Sequence, residues 1–382
     1  MKHVKRTLLA VLSLLLSLTS CQAAIPASEG TSTLPSDSET PSEATDPTPW
    51  ETVTLNVVNH LPSVFLPVGR TYTRNGSLAC DFTCTGIRFS AECEGDVSVY
   101  IRSTSKAYFT LYVNGKRADQ RFSVSNSFEW ITLAQDLPKG TYDFEFVKHS
   151  QYHMATVELQ KVSLTGIFHP APEQRKLFIE YYGDSIVNGS NIHVGTKTNT
   201  ENSDGTLAYG WLTAQALNAD CNIVGRGGLS LSVESEMDIM NDVFDLCGSS
   251  QLQNVPTYDF ARIPDVVVVN MGCNDGARAT QTTVETFKAR VTELIHNIRT
   301  KYGDDIRIVW IYGYRRDAKE YWDYIKEVME QMGGEYGNLY ACQVSVCYIP
   351  KSEGGDGYHP DVKNAQIMAN EVTAYLQNLL KT

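Results

Sequence analysis

Four apolar runs decide what the C-terminal half of this chain can become: LFIEYY (177–182), CNIV (221–224), VVVVNM (266–271) and IRIVWIY (306–312). Between and after them, apolar residues recur at helical spacing over 207–218, 282–301, 318–331 and 362–380. Runs that are apolar at every position need cover on both faces. Strands of that kind separated by helices therefore mean an α/β fold, a parallel sheet in the middle of three layers. Right-handed crossovers bring the C-terminal ends of all such strands to one edge, where open α/β sheets keep their chemistry.

Residues 51–168 follow a different pattern. Val97, Val99 and Ile101 alternate with Ser98, Tyr100 and Arg102, and Tyr142, Phe144 and Phe146 alternate with Asp143 and Glu145, as half-buried strands do. YVNGKR sets Asn114-Gly115 between two such runs, a strong hairpin signal, and LPKGTY (137–142) reads as another turn. No long helical pattern interrupts the segment, so it is expected to be an all-β sandwich or jelly roll ahead of an α/β domain at 176–382.

The first twenty residues carry Lys2, Lys5 and Arg6, then an apolar stretch from Leu8 to Leu18. That stretch is shorter than the roughly 20 residues a permanent membrane helix needs, so it reads as a signal peptide. Leu18-Thr19-Ser20-Cys21 resembles a bacterial lipobox, which would make Cys21 the lipidated N-terminus; ordinary cleavage after Ala23 or Ala24 is the other reading. Residues 21–50, rich in Ser, Thr, Pro and acids, cannot bury enough surface to order themselves and read as a tether. The expected location is the extracellular face of a bacterial envelope, with the membrane as a partner through Cys21.

A net charge of −12 leaves too little clustered Lys and Arg for a phosphate-binding surface, so no nucleic-acid partner is expected. Apart from Cys21, eight cysteines remain. They permit disulfides without specifying them: Cys80 with Cys84 or Cys93, and Cys342 with Cys347, are local candidates. Cys221 and Cys273 end apolar runs and read as small buried hydrophobes. No zinc-ligand spacing is present, and no metal is assigned.

Four polar motifs fall at one edge of the expected sheet: Gly183-Asp184-Ser185, Gly225-Arg226-Gly227-Gly228, Gly272-Cys273-Asn274-Asp275, and Asp356-Gly357-Tyr358-His359-Pro360. Singly, each has a plain explanation: a turn serine, a tight glycine connection, a capping Asn or Asp, a loop histidine. Together they make a chemical set. A serine hydroxyl needs a base, which His359 supplies, oriented by Asp356 through its other ring nitrogen. The oxyanion formed at a carbonyl needs fixed donors: the Ser185 N–H, an N–H near Gly228, and the Asn274 amide.

This order of Ser, Gly, Asn and His, with Asp356 three residues before His359, resembles the SGNH (GDSL-like) hydrolases. With a β-sandwich directly upstream, and the segments GTYDFEFVKHSQ, VELQKVSLTGIF, YGWLTAQALNAD and DGYHPDVKNAQIMANEV, it is similar to carbohydrate esterase family 2 over residues 52–382. The resemblance implies a flavodoxin-like sheet behind a jelly roll, a catalytic Ser185 and His359, and no cofactor. It also implies an acetylated carbohydrate as substrate. Members of the family often carry Lys-Arg-Thr-Glu where this chain has Lys148-His149-Ser150-Gln151, and the register within GRGG is open, Gly228 being the choice made here. Several members look like Ser–His dyads, whereas Asp356 points to a full triad. Tyr209, Trp211 and Tyr358 either stack on sugar or pack. The expected activity is extracellular carbohydrate O-acetyl esterase; the rivals are a lipase or thioesterase on the same fold, or a carbohydrate-binding surface protein with an inert site.

Overall fold

The computed structural model describes residues 50–151, 155–194, 199–234, 238–249, 254–315 and 319–381. The signal segment, Cys21 and the tether up to residue 49 lie outside the described residues, while Pro49–Thr382 forms one compact unit.

Its first half is built from β1 (Thr52–Asn56), β2 (Leu66–Val68), β3 (Thr71–Arg74), β4 (Ser77–Cys80), β5 (Thr85–Ser103), β6 (Ala107–Val113), β7 (Lys116–Val124), β8 (Glu129–Lys148) and β9 (Val157–Phe168). Hydrogen bonds join all nine into a single antiparallel sheet whose main path runs β3-β4-β9-β5-β8-β6-β7. Strands β5 and β8, of 19 and 20 residues, bend through register shifts between Cys93 and Ser98. The inward side chains, Phe89, Val97, Val99, Phe109, Phe144 and Leu164 among them, meet in one apolar core. Asn114 and Gly115 take positive φ (51° and 74°) at the β6–β7 hairpin, as expected of this pair. The second expected turn is absent. LPKGTY lies inside β8, where Leu137 pairs with Gly95 and Gly140 with Cys93, so Pro138 and Lys139 are absorbed as a bulge.

The second half holds a parallel sheet of β10 (Leu177–Gly183), β11 (Ala219–Gly225), β12 (Val266–Asn270), β13 (Ile308–Tyr312) and β14 (Leu339–Gln343), in the order β11-β10-β12-β13-β14. This is the flavodoxin-like order, with β10 and β12 adjacent at the switch in winding. Helices α1 (Tyr209–Ala216), α2 (Met240–Val243), α3 (Cys273–Ala277), α4 (Val284–Tyr302), α5 (Lys319–Gln331) and α6 (Val362–Leu380) complete it. Along α4, Phe287, Val291, Leu294, Ile295 and Ile298 are buried at three- and four-residue spacing. Thr283 and Asp361 cap α4 and α6 by accepting the Thr286 and Asn364 N–H groups, at 3.1 and 2.8 Å. Strand β14 was not foreseen: LYACQ is a five-residue edge strand in which Ala341 and Gln343 are exposed.

None of the eight described cysteines is paired. Cys84 faces the α/β core whereas Cys80 and Cys93 face the sandwich core. Cys347 lies against the Met368 sulfur on α6, at 3.9 Å.

The two halves share apolar surface. Val68, Phe82, Cys84, Tyr112 and Val147 belong to the same core as the parallel sheet, and the Trp211 indole donates to the Tyr112 hydroxyl at 2.8 Å. Each such side chain is worth about 1.5–3 kcal/mol of burial. Residues 176–382 expressed without 51–168 are therefore expected to aggregate or to lack fixed tertiary structure by size exclusion and near-ultraviolet circular dichroism. A monodisperse, well-packed fragment would show the β-half to be dispensable.

Candidate active site

Ser185 stands two residues beyond β10, 9% exposed. The Asp184 carboxylate accepts the Ile186 N–H at 2.9 Å, closing the turn around it, and the Ser190 N–H returns to the Ser185 carbonyl at 3.0 Å. Asp184 is fully buried and also receives the Cys273 thiol at 2.9 Å, so Cys273 does more than fill space. Burial pushes the Asp184 carboxyl above its ordinary range, opposed by the Cys273 and Ile186 hydrogen bonds and by the charges of Arg315 and His359. The Asn191 amide, on the segment after the serine turn, donates to Asp356 of the histidine loop at 2.8 Å.

Beyond β11, the glycine turn is held from several sides. Gly228 sits at φ 78°, which favours glycine. Its carbonyl accepts from Arg278 at 2.6 Å, and the Leu229 carbonyl accepts from the Asn274 amide at 2.8 Å. The fully buried Asp275 carboxylate receives the N–H groups of Leu231 and Ser232 and the Ser232 hydroxyl. Gly227 N–H is taken by the Gln151 side chain at 3.0 Å. The N–H groups of Ser185 and Gly228 have no partner among the described residues. Asn274 is more committed than expected: its amide lies 3.3 Å from Asp184 as well as on Leu229, so an oxyanion would compete with Asp184 for one N–H.

The fourth loop precedes α6. Ile349 and His359 pair through the backbone, N–H to carbonyl at 2.9 Å, which fixes the loop beside the chain leaving β14. Asp356 collects four donors: the N–H groups of Tyr358 and His359 on one oxygen, and His359 Nδ1 (2.5 Å) and Asn191 Nδ2 (2.8 Å) on the other. Half-burial alone would raise its carboxyl. The His359 hydrogen bond and charge, with the two backbone donors, instead hold it well below the usual carboxylate range. With Nδ1 donating to Asp356, Nε2 is left as the acceptor, the tautomer a general base needs. No hydrogen bond joins Ser185 Oγ to His359 Nε2; such contacts often tighten only around substrate.

Tyr209 and Trp211 pack inside, whereas Tyr358 is half exposed with the Arg315 guanidinium over its ring. Asn191, which ties the serine segment to Asp356, escaped the sequence reading. Gln151, seen there only as the end of the departure from Lys-Arg-Thr-Glu, ties the β-half to the glycine turn, and both act across long sequence separations.

The site can thus hold a serine, a neutral imidazole with an ionised partner, and two free backbone donors at one sheet edge. A model of the GDSL-like lipase/acylhydrolase family matches residues 179–372, about half of the chain. The chain belongs to that family. Among curated proteins, this GDSL-like hydrolase is similar to the cellulase/esterase CelE of Acetivibrio thermocellus, 24% identical over 298 residues, 75% of this chain and 36% of CelE. It is also similar to an acetylxylan esterase / glucomannan deacetylase of Cellvibrio japonicus, 32% identical over 171 residues, 41% of this chain and 47% of that protein. The matches span between a third and a half of those relatives' lengths. A solved family two carbohydrate esterase from Clostridium thermocellum, in complex with cellohexaose, has the same fold: TM-score 0.74, 22% identity, covering 83% of this chain and 99% of that one.

Asp356 is held ionised well below the usual carboxylate range, so Asp356→Asn removes a charge from the site at neutral pH. The substitution should lower kcat by up to about 10⁴-fold by removing the group that fixes the tautomer of His359. A folded Asp356→Asn variant with wild-type kcat on an aryl acetate would count against His359 as base.

Proposed function

We propose that this GDSL-like hydrolase is a carbohydrate O-acetyl esterase, lipid-anchored through Cys21 at the extracellular face of a bacterial envelope. The observation that carries the catalytic part is the Asp356–His359 pair at the same sheet edge as Ser185, beside two unpartnered backbone N–H groups. The names of the curated relatives, an esterase of a cellulase protein and an acetylxylan esterase / glucomannan deacetylase, support an acetylated polysaccharide as substrate. The anchor and tether are read from the leader sequence alone.

Ser185 Oγ attacks the acetyl carbonyl carbon while His359 Nε2 takes the hydroxyl proton, and Asp356 stabilises the imidazolium. The negative charge on the carbonyl oxygen is met by the N–H groups of Ser185 and Gly228, with Asn274 as the third donor. Collapse of the tetrahedral intermediate breaks the bond to the sugar oxygen, which receives the proton from His359. Water, deprotonated by His359, then attacks the acetyl-serine; acetate leaves and Ser185 regains its proton. The half-exposed Tyr358 beside His359 offers a ring to the departing sugar.

Acetate release from an aryl acetate and from acetylated xylan and glucomannan, wild type beside Ser185→Ala, tests this. Both substrate types should be turned over by the wild type and neither by the variant. Turnover of aryl esters with longer acyl chains, but not of acetylated glycans, would move the activity to a lipase or thioesterase. Glycan binding without any turnover would leave a binding protein.

A further inference from the structure

The segment Lys148-His149-Ser150-Gln151 leaves the end of β8 fully buried, and its last residue reaches the opposite half of the molecule. Gln151 Oε1 accepts the Gly227 N–H at 3.0 Å, and Nε2 donates to the hydroxyls of Ser190 and, at 3.2 Å, Ser203. A backbone N–H can only donate, so Gly227 fixes which way the amide faces. Ser203 sends its own proton to the Asn199 carbonyl at 2.8 Å, so it can only accept from Gln151. Every N–H of the amide is therefore placed, and its oxygen is engaged.

We propose that Gln151 is a positioning residue for the oxyanion hole, through which the β-half sets the geometry of the two backbone donors. This rests on the serine esterase reading given above. The peptide that carries the Gly228 N–H is bracketed by two fixed neighbours: Gly227 N–H on Gln151 before it, and the Gly228 carbonyl on Arg278 after it. With both flanking groups held, the Gly228 N–H is the one left free. An added Cβ at position 227 would come within 2.8 Å of the Gln151 oxygen, so a side chain there would displace the amide. On the other side, Ser190 links Gln151 to the serine turn, since its N–H holds the Ser185 carbonyl. Its neighbour Asn191 donates to Asp356. One buried amide from the β-half thus spans the segments that carry both free donors, and touches neither substrate nor Ser185 itself.

A group that holds donors where charge develops affects the transition state more than the ground state. In the full chain, Gln151→Met keeps the volume but removes all three hydrogen bonds, and Ser190→Ala removes one anchor with little change in packing. The readouts are kcat and KM on an aryl acetate, the inhibition constant of a small alkylboronic acid that forms a tetrahedral adduct on Ser185, and the thermal midpoint. Loss of a whole oxyanion donor costs 10²- to 10³-fold, so misplacing one is expected to lower kcat about 10- to 100-fold in Gln151→Met. KM should stay within about twofold and the boronate should bind more weakly by a factor similar to the fall in kcat. Ser190→Ala should move the same quantities in the same direction by less, and it decides the matter alone if Gln151→Met does not fold. Folded variants with wild-type kcat, or with lowered kcat but unchanged boronate affinity, would overturn the role. A wild type inactive on the same ester would instead remove the esterase reading, and this inference with it.

Discussion

A fully buried guanidinium ties the two halves of the molecule together. Arg70, in the connection between β2 and β3, enters the α/β half and is 1% exposed. It meets the Glu180 carboxylate at 2.5 Å and the Tyr182 hydroxyl at 2.8 Å, and donates to the carbonyls of Phe244 and Leu246. The rings of Tyr258 and Phe260 lie over it at 4.3 and 5.1 Å. Burial alone would disfavour the charge, but Glu180 together with Tyr182, Tyr302 and Tyr258 outweighs that and raises the Arg70 pKa, while burial raises that of Glu180. Glu180 in turn takes the Asn222 amide and the Tyr302 hydroxyl, which leaves its oxygens satisfied. Removing either partner of such a pair costs about 3–5 kcal/mol, because the other is left charged and buried. Glu180 lies on β10, five residues before Ser185, so the strand that presents the serine is pinned from the β-half.

The catalytic edge is built in the same way, with buried carboxylates organising irregular backbone. Asp184, Asp204, Asp275 and Asp356 each accept at least one main-chain N–H, from Ile186, Thr206, Leu231 and Ser232, and Tyr358 and His359. Loops at the ends of parallel strands carry donors that no ladder satisfies, and an ionised acceptor binds several of them more strongly than a neutral one. Asp204 also draws Arg117 from β7 across to the segment after Ser185, at 2.8 Å. Asp204 and Asp356 are both held well below the usual carboxylate range despite their burial: Asp204 by the His193 hydrogen bond and the Arg117 charge, Asp356 by His359. Donors fixed in this manner need little reorganisation when charge appears on a substrate, which is the condition for electrostatic catalysis.

Much of the fold could be read locally. VVVVNM and LFIEYY could only be strands covered on both faces, and the polar motifs that follow the first three runs end up where the topology requires. Asn114-Gly115 carried its hairpin in two residues. Sequence reasoning failed where the deciding contact is distant. LPKGTY has the composition of a turn, but its pairing with β5 across more than 40 residues turns it into a bulge. Strand β14 is only five residues long, with Ala341 and Gln343 exposed, and it pairs in parallel along the edge of β13. Asn191, Gln151 and Arg70 each bond more than 70 residues away, and an Asn, Gln or Arg has no periodicity that reveals its partner. The Asn274 amide was assigned to the oxyanion from motif order alone, which could not reveal that Asp184 shares it.

Eight unpaired thiols among the described residues raise a physical question that burial answers. Thiol–disulfide exchange and oxidation proceed through the thiolate and need access to it. Every described cysteine is buried, and burial pushes Cys80, Cys342 and Cys347 up to about 12 and Cys93 and Cys247 up to about 11, with Cys84 and Cys273 well above the usual thiol range. At neutral pH the thiolate fraction is then lowered by orders of magnitude relative to a free cysteine. Cys80 and Cys84 also face different cores, so no small rearrangement joins them. Most thiols are shielded within the core of their own half, while Cys84 and Cys247 are covered by residues of the other half and so depend on the contact that Arg70 and Glu180 hold closed.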